Sequence, residues 1–171
     1  LLITDAAINI DPDLECKADI VRNAIGLAQV LGIVEPKVAI LAAVETVNPK
    51  MRATLDAAAL CKMAERGQIT GGIVDGPLAF DNAVSIVAAK TKGLRSAVAG
   101  QADILIVPDI ESGNMLAKQL EYLADALSAG IVLGTRVPIV LTSRADSAET
   151  RTASCAVAVV MAHARRKQIQ A

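Results

Sequence analysis

The chain alternates short aliphatic runs with longer amphipathic stretches along its 171 residues. Runs such as KVAILAAV at 37–44 and ADILIVPD at 102–109 are each followed by a segment with apolar residues at helical spacing. Strands that alternate with helices pair mainly in parallel, because each crossover helix returns the chain to the same end of the sheet. The pattern therefore predicts an α/β protein with a mainly parallel sheet and helices on both faces.

Asp-Pro, Asn-Pro and Gly residues mark the ends of the predicted helices. In DPDLECKADIVRNAIGLAQVLG we expect Asp11 as the N-cap, Pro12 as the first helical residue and Gly32 as the stop. NPKMRATLDAAALCKMAERG repeats this arrangement, and further helices are predicted to begin near Asp81 and near Gly113. A long helix, SAETRTASCAVAVVMAHARRKQ, is predicted to close the chain.

Three more apolar runs, at 71–76, 130–134 and 138–143, complete the predicted strands. Only TRV separates the last two, so we expect them to pair antiparallel and to make the sheet mixed. Because no linker interrupts the pattern, residues 1–171 are predicted to form a single α/β domain. The opening LLIT has the character of a strand already under way, which suggests a piece of a longer chain.

Composition excludes several classes of partner. One Phe, one Tyr and no Trp leave no aromatic platform for nucleic acid, and a net charge of -1 gives no field to attract a polyanion. No run of about 18 apolar residues occurs, so no membrane segment is predicted. Three widely spaced cysteines, Cys16, Cys61 and Cys155, suggest neither disulfides nor a zinc site, which favours the cytoplasm.

Four predicted strand-to-helix turns are rich in groups that bind anions or hydroxyls. Open α/β sheets bind ligands outside the carboxyl ends of their strands, where such turns lie. Asp75 and Gly76 in one turn, and Gly113 and Asn114 in another, are therefore candidate substrate-binding residues, although each turn is also explained by helix capping. The four turns are VETVNPKM, VDGPLAFDNA, VPDIESGNML and TSRADSAET.

The Ser143-Arg144 pair is the strongest candidate, because a cation at a helix start is unfavourable unless an anion offsets it. Arg144 can bind a phosphate through two parallel N–H groups. His163 and Cys155 are better explained as a helix-end histidine and a buried thiol. No Walker loop, GxGxxG, HExxH, GxSxG or paired CxxC occurs, and no Asp cluster supports a metal-dependent decarboxylating dehydrogenase, so no metal site is predicted.

The chain resembles the phosphate acetyl/butyryltransferase family over nearly its whole length. The resemblance implies an acyltransferase that moves an acyl group between coenzyme A and orthophosphate, with both as substrates and no tightly bound cofactor. It implies a homodimer whose subunits have two α/β domains like those of isocitrate and isopropylmalate dehydrogenases. This chain would be the second domain plus the C-terminal helix, and the N-terminal domain would be missing. The matching segments are VNPKM, VDGPLAFDNA, VAGQADILIVPDIESGNMLAKQL and VPIVLTSRADS.

The same resemblance implies roles for the residues of the last turn. Ser143 would assist the transition state, and Arg144 would bind phosphate or the coenzyme. The family's proposed base, an Asp, aligns with Thr150, which leaves Asp146 and Glu149 as alternative bases, and Tyr122 stands where the family has an Arg. The alternative function is a dimerisation and coenzyme-A-binding fragment with no activity alone.

Overall fold

The structure is a computed structural model that describes residues 1–170, and it falls into two compact units. The first unit is Leu1–Met115, and the second begins at Leu116. Strands and helices alternate through the first unit, and the second unit has two consecutive strands followed by a long helix. In chain order the elements are β1 Leu2–Thr4, α1 Leu14–Val30, β2 Lys37–Leu41, α2 Arg52–Glu65, β3 Ile73–Leu78, α3 Phe80–Val84, α4 Ile86–Thr91, β4 Ile104–Ile106, α5 Ile110–Leu123, β5 Gly130–Val132, β6 Ile139–Leu141 and α6 Ala148–Gln170.

The first unit is built on a four-stranded sheet in the order β1-β4-β2-β3. All three pairings are parallel, with Leu2 opposite Ile104, and Val38 opposite both Ile104 and Val74. The carboxyl ends of the four strands therefore lie at one edge of the sheet. This confirms the predicted α/β class with mainly parallel pairing.

Helices cover both faces of this sheet. The crossovers β1-α1-β2 and β2-α2-β3 advance in the same direction, so right-handed connections place α1 and α2 on one face. The return from β3 to β4 places α3 and α4 on the other face. In the central strands β2 and β4, the residues that point to one face of the sheet and those that point to the other are all buried. This is the pattern of a sheet covered on both sides. The buried residues are Val38, Ile40, Ile104 and Ile106 on the α1 side, and Ala39, Leu41 and Leu105 on the other.

Two helix starts differ from the sequence prediction. The N-cap of α1 is Asp13, whose carboxylate accepts a hydrogen bond from the backbone N–H of Cys16 at 2.9 Å. Asp11 does not cap the helix, because its carboxylate binds the Arg52 guanidinium at 2.9 Å and 3.1 Å. Helix α5 begins at Ile110, three residues before Gly113, because Asp109 accepts a hydrogen bond from the Ser112 N–H at 2.8 Å.

The predicted strand at 71–76 and the helix after it are also shifted. Strand β3 runs on to Leu78, so the turn comes later than VDG. The following segment forms two short helices instead of one, because Ser85 is extended, with φ -119° and ψ 114°, and caps α4 through its Oγ.

The second unit contains the end of α5, the strands β5 and β6, and the helix α6. Strands β5 and β6 pair antiparallel as predicted, with Ile131 opposite Val140, but they form a two-stranded sheet of their own instead of extending the parallel sheet. Ser154 in α6 connects helix to strand, because its Oγ accepts from the Gly130 N–H at 2.9 Å and donates to the Thr150 carbonyl at 2.8 Å.

Candidate functional site

The carboxyl edge of the parallel sheet carries a loop after β1 that the sequence reasoning missed. The Asp5 carboxylate, directly after β1, accepts hydrogen bonds from the backbone N–H groups of Ala7, Ile8 and Asn9 at 2.8, 3.0 and 2.8 Å. The Asn9 side chain adds a fourth at 2.6 Å. We call residues 5–10 the Asp5 loop. An Asp immediately after a predicted strand, followed by Asn, was the signal available in the sequence.

Those hydrogen bonds determine the charge state of Asp5. Burial on its own would raise the pKa of this carboxyl group, but the backbone N–H groups of Ala7, Asn9 and Ile8 favour the charged form. Their combined effect is larger, so the pKa of Asp5 lies below its ordinary value of 3.8. The loop therefore has a charged, fully engaged carboxylate at its centre.

Gly113 and Asn114, two of the predicted binding residues, lie in α5 and contact the Asp5 loop. The Asn114 side-chain amide donates to the Ala6 carbonyl at 3.3 Å. A Cβ on Gly113 would lie 2.5 Å from the Asp5 carbonyl oxygen, so only glycine permits this approach of helix and loop. Both residues thus shape the carboxyl edge by fixing the loop.

Asp109 fixes the start of α5. Its Oδ1 accepts from the Ser112 N–H at 2.8 Å and from the Ser112 hydroxyl at 2.7 Å. Both bonds lower the pKa of Asp109, and the bond from the backbone N–H has the larger effect. The helix therefore begins with a negative charge, which favours its dipole.

Asp75 and Gly76, expected in a turn, lie inside β3 instead. Asp75 is paired with Ala39 of β2 and accepts from the Gly76 N–H at 2.8 Å. A Cβ on Gly76 would lie 2.7 Å from the Ile40 carbonyl oxygen, which explains this glycine by the close approach of β3 to β2. Because β3 and β1 are the two outer strands of a sheet whose strands lie roughly 4.8 Å apart, the structure does not bring Asp75 and Gly76 together with Gly113 and Asn114.

A charged cluster that sequence reasoning also missed lies after β2 and β3. The Lys92 ammonium contacts Glu45 at 3.4 Å and Asp81 at 3.0 Å, and the buried Asn82 amide donates to Glu45 at 3.2 Å. The hydrogen bond to Asp81 raises the pKa of Lys92, and the same bond lowers the pKa of Asp81. These residues are far apart in the sequence, so no local pattern indicates the cluster.

A buried ion pair joins α1 to α2 near the same edge. Lys17 is 3% exposed and lies 2.7 Å from Asp56, which Arg52 also approaches at 3.5 Å. A buried charge needs such a partner to offset the loss of hydration. The pair therefore fixes the two helices relative to each other without leaving a free cation there.

The second unit holds the other four predicted site residues in one short segment after β6. The Asp146 carboxylate accepts from the Ser143 N–H at 2.6 Å, and the Asp146 N–H donates to the Ser143 carbonyl at 3.2 Å. The two residues thereby form a compact turn that leaves the Ser143 side chain exposed. Asp146 has a clear structural role in this turn.

Helix α6 begins directly after that turn. Ser147 acts as its cap, since its Oγ accepts from the Thr150 N–H at 3.1 Å. Arg144 and Glu149 are exposed, and within residues 1–167 neither makes an ion pair or a side-chain hydrogen bond. The segment therefore presents a hydroxyl, a guanidinium and a carboxylate beside the N-terminus of a 23-residue helix.

The remaining candidates have no visible part in this arrangement. His163 is exposed on α6, and Cys155 is exposed instead of buried as expected. Cys61 is partly buried, donates to the Gly76 carbonyl at 3.4 Å, and burial raises its pKa to about 12. Burial and the raised pKa make Cys61 unlike a reactive thiol, so it is a structural residue.

Comparison with known proteins decides the family. The model of the family described as "Phosphate acetyl/butaryl transferase" matches residues 1–159. The chain belongs to the phosphate acetyl/butyryltransferase family. This confirms the resemblance expected from the sequence.

Relatives within this family carry both acyl names. The chain is 67% identical over 166 residues to a phosphate acetyltransferase of Rhizobium meliloti, covering 97% of this chain and 52% of that protein. It is 53% identical over 162 residues to a phosphate butyryltransferase of Clostridium acetobutylicum, covering 95% and 54%. The chain thus spans about half the length of the curated relatives it matches.

Solved structures of a phosphotransacylase and a phosphotransacetylase have the same fold. A branched-chain phosphotransacylase from Enterococcus faecalis matches with a TM-score of 0.86 and 40% identity, over 94% of this chain and 58% of that one. A phosphotransacetylase from Streptococcus pyogenes matches with a TM-score of 0.76 and 30% identity, over 95% and 49%. Among the described residues, no helix is long and apolar enough to cross a membrane.

Proposed function

We propose that this chain is part of a phosphate acyltransferase that moves an acyl group between coenzyme A and orthophosphate. The observation that carries the proposal is the turn at 143–149, which presents Ser143, Arg144 and Glu149 at the start of α6 in a member of this family. Coenzyme A, phosphate and their acyl derivatives are the substrates, and no bound cofactor is required.

The chemistry follows from the groups in that turn. The coenzyme A thiolate attacks the carbonyl carbon of the acyl phosphate, an oxyanion forms on the carbonyl oxygen, and phosphate leaves as the thioester forms. Arg144 binds the phosphoryl oxygens through its forked donors, and the Ser143 hydroxyl donates to the oxyanion. Both contributions are strongest when the charge develops in a site that excludes water.

The thiol proton needs an acceptor, and two carboxylates are candidates. One oxygen of Asp146 is engaged by the Ser143 N–H, whereas Glu149 is exposed and has no partner among the described residues. We therefore propose Glu149 as the base and Asp146 as the residue that holds the turn. Replacing each by its amide separates the two roles, because only loss of the base removes the acidic limb of the pH profile of kcat/KM.

The second unit supports the proposal that the functional protein is longer and has two domains. Within residues 116–167 only Ser154 and Met161 are buried, while Leu123, Val137 and Val159 are 83%, 64% and 68% exposed. A two-stranded sheet that packs on one helix with so small a core leaves much apolar surface in water. We propose that an N-terminal domain of the same protein covers this surface, that the enzyme is a cytoplasmic homodimer, and that its two domains resemble those of isocitrate and isopropylmalate dehydrogenases.

The test is acyl-CoA formation from acetyl or butyryl phosphate by the intact protein and its Arg144→Ala variant. We expect kcat/KM to fall by roughly 100-fold or more, as for the loss of a charged group that binds in the transition state. Arg136→Ala, an exposed arginine between β5 and β6, is the matched control and should behave as wild type. Equal turnover in wild type and Arg144→Ala would remove the assignment.

A second candidate applies to the 171-residue chain by itself, because it covers only about half of its relatives. In this reading the chain is a dimerisation and coenzyme-A-binding fragment without activity of its own. Thermal stabilisation by coenzyme A without turnover would support it, whereas turnover by the isolated chain would exclude it.

A further inference from the structure

The charged cluster after β2 and β3 contains a buried amide with an unused acceptor. Asn82 is 0% exposed, and its Nδ2 donates to Glu45 Oε2 at 3.2 Å. None of the described residues donates a hydrogen bond to Asn82 Oδ1. A buried carbonyl oxygen without a donor loses its hydration with nothing in return, so such atoms are rare in folded proteins. A ligand that donates to this oxygen would therefore be stabilised.

Contacts of the Asn82 backbone and side chain hold this amide in place. The Asn82 carbonyl accepts from the Gly100 N–H, and the Asn82 N–H donates to Asp81 Oδ1, both at 2.8 Å. Gly100 lies close against α4, since a Cβ there would lie 2.5 Å from Ile86 Cα. Because the backbone is fixed in this way and Nδ2 is bound to Glu45, the unused acceptor is positioned before any ligand arrives.

The group beside Asn82 Oδ1 is a second acceptor. The Asn82 amide and the Lys92 ammonium both contact Glu45 through Oε2, the ammonium at 3.4 Å. Glu45 Oε1 has no donor among the described residues. Glu45 and Asp81 carry two negative charges and Lys92 carries one positive charge, so the cluster has one uncompensated negative charge.

This charge and these acceptors determine which ligand the cluster suits. The excess negative charge repels phosphate and other anions, and the Lys92 ammonium, 3.4 Å from Glu45 and 3.0 Å from Asp81, repels a divalent metal ion. Two neighbouring oxygen acceptors instead match a cation that has parallel N–H donors. A planar guanidinium group has this geometry and is more weakly hydrated than an ammonium, so it is the better ligand for a partly buried site.

We propose that Glu45 and Asn82 form a binding site for a small guanidinium compound, with one N–H donating to Asn82 Oδ1 and a second to the Glu45 carboxylate. Lys92 competes with this ligand for Glu45. Its side chain is 32% exposed, and ion pairs of such exposed groups are weak, so the ligand can displace the ammonium and reach the buried oxygen. All the residues of the site lie in the first unit, at the carboxyl edge of the sheet, so the site is complete without the second unit.

The experiment is titration calorimetry of the intact protein with methylguanidinium chloride and, at the same ionic strength, with tetramethylammonium chloride. The two cations have the same charge, but tetramethylammonium has no N–H donor. We expect methylguanidinium to bind and tetramethylammonium not to bind, because the site recognises the cation through two hydrogen bonds.

Two variants with matched controls test the residues of the site. Glu45→Gln should raise the Kd for methylguanidinium by about 10-fold or more, because it removes the charge that the ligand neutralises. Lys92→Met should lower that Kd by about 2-fold to 5-fold, because it removes the competing cation. Glu35→Gln and Lys90→Met are the controls, since both residues are exposed and make no ion pair among the described residues, and their Kd should equal that of wild type.

Three results would overturn the proposal. The first is no binding of methylguanidinium to the wild-type protein, and the second is an equal Kd for the two cations. The third is weaker binding in Lys92→Met than in wild type, which would show that Lys92 holds the cluster together instead of competing with a ligand. The Lys92→Met measurement decides the question even where Glu45→Gln fails to fold.

Discussion

Replacing Gly113 with alanine tests whether this residue is selected by the approach of α5 to the Asp5 loop. Alanine is the better helix former by about 1 kcal/mol, so propensity alone predicts that the variant is more stable. The structure predicts the opposite. The new Cβ would lie 2.5 Å from the Asp5 carbonyl oxygen, 2.8 Å from Val107 Cγ2 and 3.1 Å from Ala6 Cα.

The size of the effect follows from these distances. The shortest falls about 0.9 Å below the 3.4 Å at which ordinary contact begins, and the atom it meets is backbone, which cannot rotate away. Overpacking of this kind costs ~1–3 kcal/mol, and part of that is offset by helix propensity. We therefore expect Gly113→Ala to lower the free energy of unfolding by about 1–2 kcal/mol.

Gly26→Ala provides the control, because Gly26 is an exposed interior residue of α1, and a Cβ added there would meet no atom within 4 Å. This variant should gain about 1 kcal/mol from propensity alone. Urea unfolding of the intact protein, followed by circular dichroism, should separate the two variants by ~2–3 kcal/mol. Equal stability of the two, or a more stable Gly113→Ala, would refute the close-approach account.

Two further predictions concern ionisable groups. Asp5→Asn should destabilise the protein at neutral pH by about 1–3 kcal/mol. Because the folded pKa of Asp5 is below 3.8, the carboxylate's contribution is complete above that value and is lost as the pH falls through the lowered folded pKa. Urea titrations at about pH 7 and about pH 3 should therefore show the gap between wild type and variant closing in acid, and a constant gap contradicts this. Burial raises the pKa of Cys61 to about 12 from 9.0, so its thiolate is roughly 1000-fold scarcer than in the unfolded chain. Peptide mapping after brief alkylation should show Cys61 modified only in urea, and rapid labelling of the folded protein would be inconsistent with that environment.

The sequence predicted the elements whose signal is local. Aliphatic runs gave the strands near 37–44 and 102–109, and Gly32, with φ +96°, follows α1 as expected from its place after the helix. Helix starts were less certain, because several Asp residues near α1 compete for the role of cap. Asp13 caps the helix, whereas the Asp11 carboxylate binds Arg52, which is 41 residues away in the sequence.

The parts of the site that the sequence did not indicate depend on contacts between distant residues. The link between Asn114 and Ala6 joins residues 108 positions apart, and the contact between Glu45 and Lys92 joins residues 47 apart. Asp75 and Gly76 were expected in a turn, but they lie inside β3. The end of β3 depends on its pairing with β2, which the local sequence does not indicate. The resemblance to the family, by contrast, rests on continuous motifs and was confirmed.

The most direct test of the account is formation of acyl-CoA from coenzyme A and acetyl or butyryl phosphate by the intact protein. The account predicts thioester formation from at least one acyl phosphate, lost in Arg144→Ala and retained in Arg136→Ala. A folded protein that binds coenzyme A but forms no thioester from either acyl phosphate would contradict it.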